Sequence, residues 1–208
     1  FLSSMKSQIA QKQKGITLIE TLFGVAVFAL IAIAMGTFGR NLWYYNTAIG
    51  NGLDSADSGR NLMKVITTEI RTASSANTGA YTISQASASS FTFYSDVDDD
   101  GMREKIRYFS SGTNFQRGIT EPTGNPLTYN SANEVVKTVA SNVTNGSTIF
   151  EYFDKNYDGS TAALTSPITI PSVRLVKITI TVDKDTNRPP EPMTFSTQVS
   201  MRNLKDNL

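Results

Sequence analysis

The sequence predicts an α+β fold: a long N-terminal helix, transmembrane and then amphipathic, packed on an antiparallel β-sheet head. Three observations predict it. Residues 16–39 form an apolar run in which Glu20 is the only charged side chain. Residues 62–73 carry apolar side chains at helical spacing. From about residue 80 onward the hydrophobic period changes to two, the period of a half-covered strand.

The N-terminal element comes first. Met5 is the first methionine, and residues 1–4 carry no weight in this reading. Lys6, Lys12 and Lys14 precede the apolar run with no acid among them, and only Arg40 follows it closely. That asymmetry keeps the N-terminus cytoplasmic and places the rest of the chain outside. The 24 residues from Ile16 to Gly39 rise about 36 Å as a helix, enough for a hydrocarbon core of about 30 Å. A secretory signal has a shorter apolar region with small residues after it. Here the run is longer, and the small residue, Gly15, precedes it. Trp43, Tyr44 and Tyr45 then read as an interfacial aromatic belt.

Glu20 needs a reason to be there. A charge within a spanning helix costs on the order of 2.5–3.5 kcal/mol by insertion scales, so it is kept with a partner or at a hydrated edge. A cut after Gly15 would create an α-amino group on Ile16, one helical turn from Glu20. The chain's own amine or a neighbour's could then neutralise the acid.

Beyond Arg40 the helix is expected to continue to about Ala73. Leu62, Val65, Ile66, Ile70 and Ala73 share one face, with Lys64, Thr67, Thr68 and Arg71 opposite. Gly50 and Gly52 each cost a helix nearly 1 kcal/mol, so a bend, fraying or local melting is expected near residues 50–59. The run from Ala73 to Gly79 ends the helix.

Strands follow. Phe91 and Phe93 alternate with Thr92 and Tyr94, Ile106 and Tyr108 mark a second strand, and Phe115 lies in a third. A short aromatic strand is expected at Ile149–Phe153. The clearest signal is Val176, Ile178, Ile180 and Val182, followed by Phe195, Thr197, Val199 and Met201. Asn187–Pro192 reads as a rigid turn joining the last two strands as a hairpin. Asn133–Asn142 reads as a short helix. One apolar face per strand implies an antiparallel sheet covered by the 60–73 helix.

Composition excludes several chemistries. The chain has no cysteine and no histidine. That removes disulfides, thiolate metal sites and the commonest general base. Net charge is +1, so no global field points to nucleic acid. No nucleophile–base spacing and no phosphate loop is present. The reading is of a non-enzyme.

Two acidic runs remain. Asp96-Val97-Asp98-Asp99-Asp100-Gly101 and Asp154-Lys155-Asn156-Tyr157-Asp158-Gly159 match the first half of an EF-hand loop. Asp96, Asp98, Asp100 and Glu104 in the first, with Asp154, Asn156 and Asp158 in the second, are candidate Ca²⁺ ligands. Arg107 and Thr165 occupy the places where the bidentate Glu would stand, so neither run is an EF-hand. The competing reading is a pair of soluble hairpin turns.

The segment Lys14-Gly15-Ile16-Thr17-Leu18-Ile19-Glu20, with the apolar run after it, resembles the class III signal of type IV prepilins and type II secretion pseudopilins. The resemblance implies that a prepilin peptidase cuts after Gly15 and methylates Ile16, where the family's usual residue is Phe. It implies that Glu20 pairs with the N-terminal amine of a neighbouring subunit during filament assembly. It further implies a 1–15 leader, a 16–39 transmembrane helix, a 40–75 amphipathic continuation and a 76–208 extracytoplasmic head. The partners it implies are other pilins or pseudopilins and an assembly platform. The runs Phe93–Gly101, Glu104–Tyr108 and Phe115–Arg117 resemble minor J-type pseudopilins and W-type minor pilins. The other reading is a membrane-anchored Ca²⁺-dependent adhesin or binding module that does not polymerise.

Overall fold

The computed structural model describes residues 15–146, 148–184 and 191–204. The described chain divides into two compact units between Thr47 and Ala48. One helix, α1 (Leu18–Thr72), contributes to both. Residues 1–14 of the expected leader and most of the expected 187–192 turn lie outside the described residues.

In the N-terminal unit, Gly15–Thr17 precede α1, and the Thr17 carbonyl accepts from the Glu20 and Thr21 amides. The stretch Leu18–Asn46 has a mean hydropathy of 2.4 and is long and apolar enough to cross a membrane. Its large apolar side chains, among them Leu22, Phe23, Phe28 and Ile33, are exposed.

Among the described residues, the C-terminal unit is built on three antiparallel sheets. The first sheet has five strands: β1 (Ile83–Ala86), β2 (Ser90–Ser95), β3 (Glu104–Ser111), β4 (Asn114–Thr120) and, after a two-stranded hairpin, β7 (Val135–Ala140). The intervening hairpin is β5 (Pro122–Thr123) with β6 (Thr128–Tyr129). The third sheet, ordered β10-β9-β8, comprises β8 (Phe150–Phe153), β9 (Leu175–Val182) and β10 (Met193–Ser200).

The two larger sheets and the last turns of α1 close one core. Leu62, Met63, Ile66 and Ile70 of α1, with Ala73 just after it, join Phe91, Phe93, Ile106, Tyr108 and Phe115 of the first sheet and Phe150, Tyr152, Val176, Ile178 and Ile180 of the third. The aromatic rings contact one another in a continuous set: Phe91 lies 5.2 Å from Phe93, 5.8 Å from Phe150 and 5.5 Å from Tyr152 between centroids. Such offset pairs each add about 0.5–1.5 kcal/mol beyond the area they bury. With no disulfide, this packing is the main source of stability in the head.

The α+β architecture is therefore as expected, and β9 pairs antiparallel with β10 from Val182↔Met193 to Leu175↔Ser200. Four details differ. Residues 133–142 are not a helix: a 3-10 turn at Ser131–Asn133 leads into strand β7, paired with β4. The β-branched Val135, Val136, Thr138 and Val139 favour that edge position. Helical structure runs unbroken across residues 50–59. Part of the reason is packing, since Gly52 and Gly59 are both buried and the Phe195 ring lies where a Gly59 side chain would stand. Val65 is 46% exposed, and the buried face of the last turns of α1 is Leu62, Met63, Ile66, Glu69 and Ile70, with Ala73 buried just beyond its end. Finally, β2 does not alternate. Thr92 and Tyr94 are buried along with Phe91 and Phe93, in part because the Tyr129 ring of the β5–β6 hairpin packs against Tyr94, tilted, at 5.0 Å.

Candidate functional site

The N-terminal candidates lie on the approach to α1 and its first turn. Gly15 and Ile16 are exposed and precede the helix, and Glu20 sits in its first turn. Among the described residues, the Glu20 carboxylate makes no hydrogen bond or ion pair; its backbone amide alone is engaged, by Thr17. An acid in that place is available to a partner from outside the chain.

The second candidate lies at the β2–β3 connection, where the sheet register Ser95↔Glu104 holds the ends of the loop together. Asp99 and Gly101 take positive φ, 61° and 87°, and so turn the chain back on itself. One carboxylate oxygen from each of Asp96, Asp98 and Glu104 lies within 4.8 Å of the others. Each acid also braces the loop. Asp96 Oδ2 accepts from the Gly101 amide at 3.0 Å, Asp98 Oδ1 from Asp100 at 3.3 Å and Glu104 Oε2 from Val97 at 2.9 Å. Asp100 turns elsewhere and caps Met102 at 2.7 Å. Glu104 is 1% exposed. Burial pushes its carboxyl above the ordinary range, and the nearby Asp98 and Glu121 push the same way, against the Val97 hydrogen bond.

The second acidic run has a different character. Asp158 Oδ1 accepts from the amides and hydroxyls of both Ser160 and Thr161, at 2.8–3.0 Å. The Ser160 amide, first among these donors, helps hold that carboxyl well below the usual range. Asp154 accepts from the Asn156 amide at 2.9 Å and from its side chain at 3.2 Å. The ligand oxygens of this loop are largely spent on their own turn.

A third constellation escaped the sequence reading. Glu69, on the buried face of α1, receives the Tyr108 hydroxyl at 2.7 Å and a two-pronged Arg117 guanidinium at 3.1 and 2.6 Å. Tyr108 and Arg117 are direct cross-strand partners on β3 and β4. The burial of Tyr108, with the negative Glu69 beside it, pushes its phenol far above the ordinary value. The available signal was a lone acid one residue before Ile70 on the apolar stripe. Its pairing needed the register of two distant strands.

Compared with known proteins, residues 10–36 match the model of the prokaryotic N-terminal methylation motif. The chain thus carries the class III prepilin signal of type IV pilins and pseudopilins. No curated protein matches the chain.

Proposed function

We propose that this chain is a structural subunit, a minor pilin or pseudopilin, of a type IV pilus-like or type II secretion filament. Prepilin peptidase cuts after Gly15 and methylates Ile16. The helix that follows anchors the protein in the cytoplasmic membrane with the head outside. Extraction by an assembly platform then packs these helices together. Glu20 pairs with the α-amino group of a neighbouring subunit and sets the axial register. The observation that carries this reading is Glu20 itself: a carboxylate in the first turn of an apolar helix, unengaged by the described residues, five residues beyond the glycine of a matched methylation motif. The J-type or W-type character of the subunit belongs to the same proposal, supported by the run from Phe93 to Arg117.

The test is the N-terminal residue and mass of the protein from its native membrane, beside a Glu20→Ala variant. A mature chain starting at methylated Ile16 is expected, with the variant processed yet missing from sheared filaments. A chain that retains Gly15, or a variant that assembles at the normal level, overturns the filament reading. The head would then be the working part of an anchored binding module.

A further inference from the structure

We infer that the β2–β3 turn is a Ca²⁺ site, with Asp96, Asp98 and Glu104 as its carboxylate ligands. The inference concerns the head alone and does not depend on the filament reading. Three acids at a turn are by themselves unremarkable, since solvated acidic tips are common. What sets this turn apart is the state of its remaining oxygens. Asp96 Oδ1 and Glu104 Oε1 are shielded from solvent and accept no hydrogen bond among the described residues. Glu104 is 1% exposed, so water does not make up the deficit. A buried acceptor without a donor keeps the whole penalty of its lost hydration, and a charged one more so.

The loop is organised to create this deficit. Each acid gives one oxygen to a backbone amide of the turn, which fixes its orientation. One oxygen from each of Asp96, Asp98 and Glu104 is thereby held within 4.8 Å of the other two. Only a proton or a cation relieves carboxylates placed so closely. Ligands on opposite sides of a Ca²⁺ ion, at about 2.3–2.6 Å from it, stand about 5 Å apart. A set of oxygens confined within 4.8 Å therefore fits a single coordination sphere. The all-oxygen donor set suits a hard cation. Asp98 is exposed, so water can complete the six to eight positions Ca²⁺ takes. Mg²⁺ demands near-octahedral geometry at about 2.0–2.1 Å and sheds water reluctantly, so this irregular turn favours the larger ion.

Charge around the turn sets the strength. Asp96 also borders a polar cavity lined by Arg71, Arg103 and Arg202, which offset part of the negative field. Three carboxylates without a bidentate Glu place the affinity in the range of extracellular modules, about 10⁻⁴–10⁻³ M. Such a site would pin β2 to β3 in a head without disulfides, at the millimolar calcium of an external medium.

The experiment uses the full-length chain in detergent, stripped of metal. CaCl₂ or MgCl₂ is titrated while the thermal midpoint of the head is followed by near-ultraviolet circular dichroism. A saturable rise with CaCl₂, half complete at about 10⁻⁴–10⁻³ M, is expected, with a much smaller rise for MgCl₂. Asp98→Asn, at an exposed position where the amide oxygen can still accept from the Asp100 backbone, should raise the half-saturating CaCl₂ at least tenfold. Glu104→Gln should abolish the response. A midpoint equal in CaCl₂ and in chelator overturns the inference, as does an Asp98→Asn variant that responds like the wild type.

Discussion

Replacing Arg117 by methionine tests the account of the core most directly. Arg117 is only 20% exposed at its side chain and Glu69 only 11%. The guanidinium contributes two of the three hydrogen bonds to Glu69, at 2.6 and 3.1 Å. Arg117→Met keeps most of the apolar stem and removes both. Glu69 is left with the Tyr108 hydroxyl alone, at 2.7 Å. Breaking a buried pair from one side costs about 3–5 kcal/mol, because the remaining charge has lost its compensation. For a domain of this size each kcal/mol lowers the midpoint by about 2–4 °C, so a fall of about 6–20 °C is expected. Near-ultraviolet circular dichroism reads it, through the buried Tyr108 and Tyr152. The double variant Glu69→Met with Arg117→Met should recover part of the loss, since a well-packed apolar pair often matches a buried ion pair, while the buried Tyr108 hydroxyl loses its acceptor. Two results refute the reasoning: a single variant within about 1 kcal/mol of wild type, or a double variant no more stable than the single.

Two further outcomes follow from packing and burial. Gly59→Ala gains about 1 kcal/mol of helix propensity, yet its new methyl would run into the Phe195 ring. Overpacking costs about 1–3 kcal/mol, so a net loss is expected in the wild-type background and a net gain when Phe195 is also alanine. Urea unfolding of the four variants reads the sign change, and the same sign in both backgrounds would rule the contact out. Tyr108 and Tyr152 both have phenols pushed far above the ordinary value, by burial first. Both stay protonated in the folded head while the unfolded chain ionises near pH 10, so the unfolded state binds fewer protons there. Stability is therefore intact below about pH 10 and falls above it, by about 1.4 kcal/mol per pH unit for each phenol. In an absorbance titration at alkaline pH, these two of the eight tyrosines should ionise only as the head unfolds. Two phenols that titrate normally in the folded head would contradict the burial.

The sequence alone determined the elements whose signal is local. The apolar run after Gly15 is legible because length and charge suffice to recognise a spanning helix, and Glu20 is conspicuous because nothing beside it explains its charge. Strands β3, β9 and β10 are legible because one face is buried, so the side chains alternate. Strand β2 does not alternate, in part because Tyr129 of the β5–β6 hairpin packs on Tyr94 from its second face, which no nearby residue announces. Strand β7 reads as a short helix in the sequence, because its extended state is realised by pairing with β4. The helix survives residues 50–59 in spite of its glycines because packing, here against Phe195, opposes intrinsic propensity. The acidic turn was visible as a string of aspartates, but the choice of Asp96, Asp98 and Glu104 over Asp100 came from strand register and backbone turn. Glu69 meets Arg117 across 48 residues of chain. Long-range pairs of that kind arise from the closure of the core, which only the tertiary structure decides.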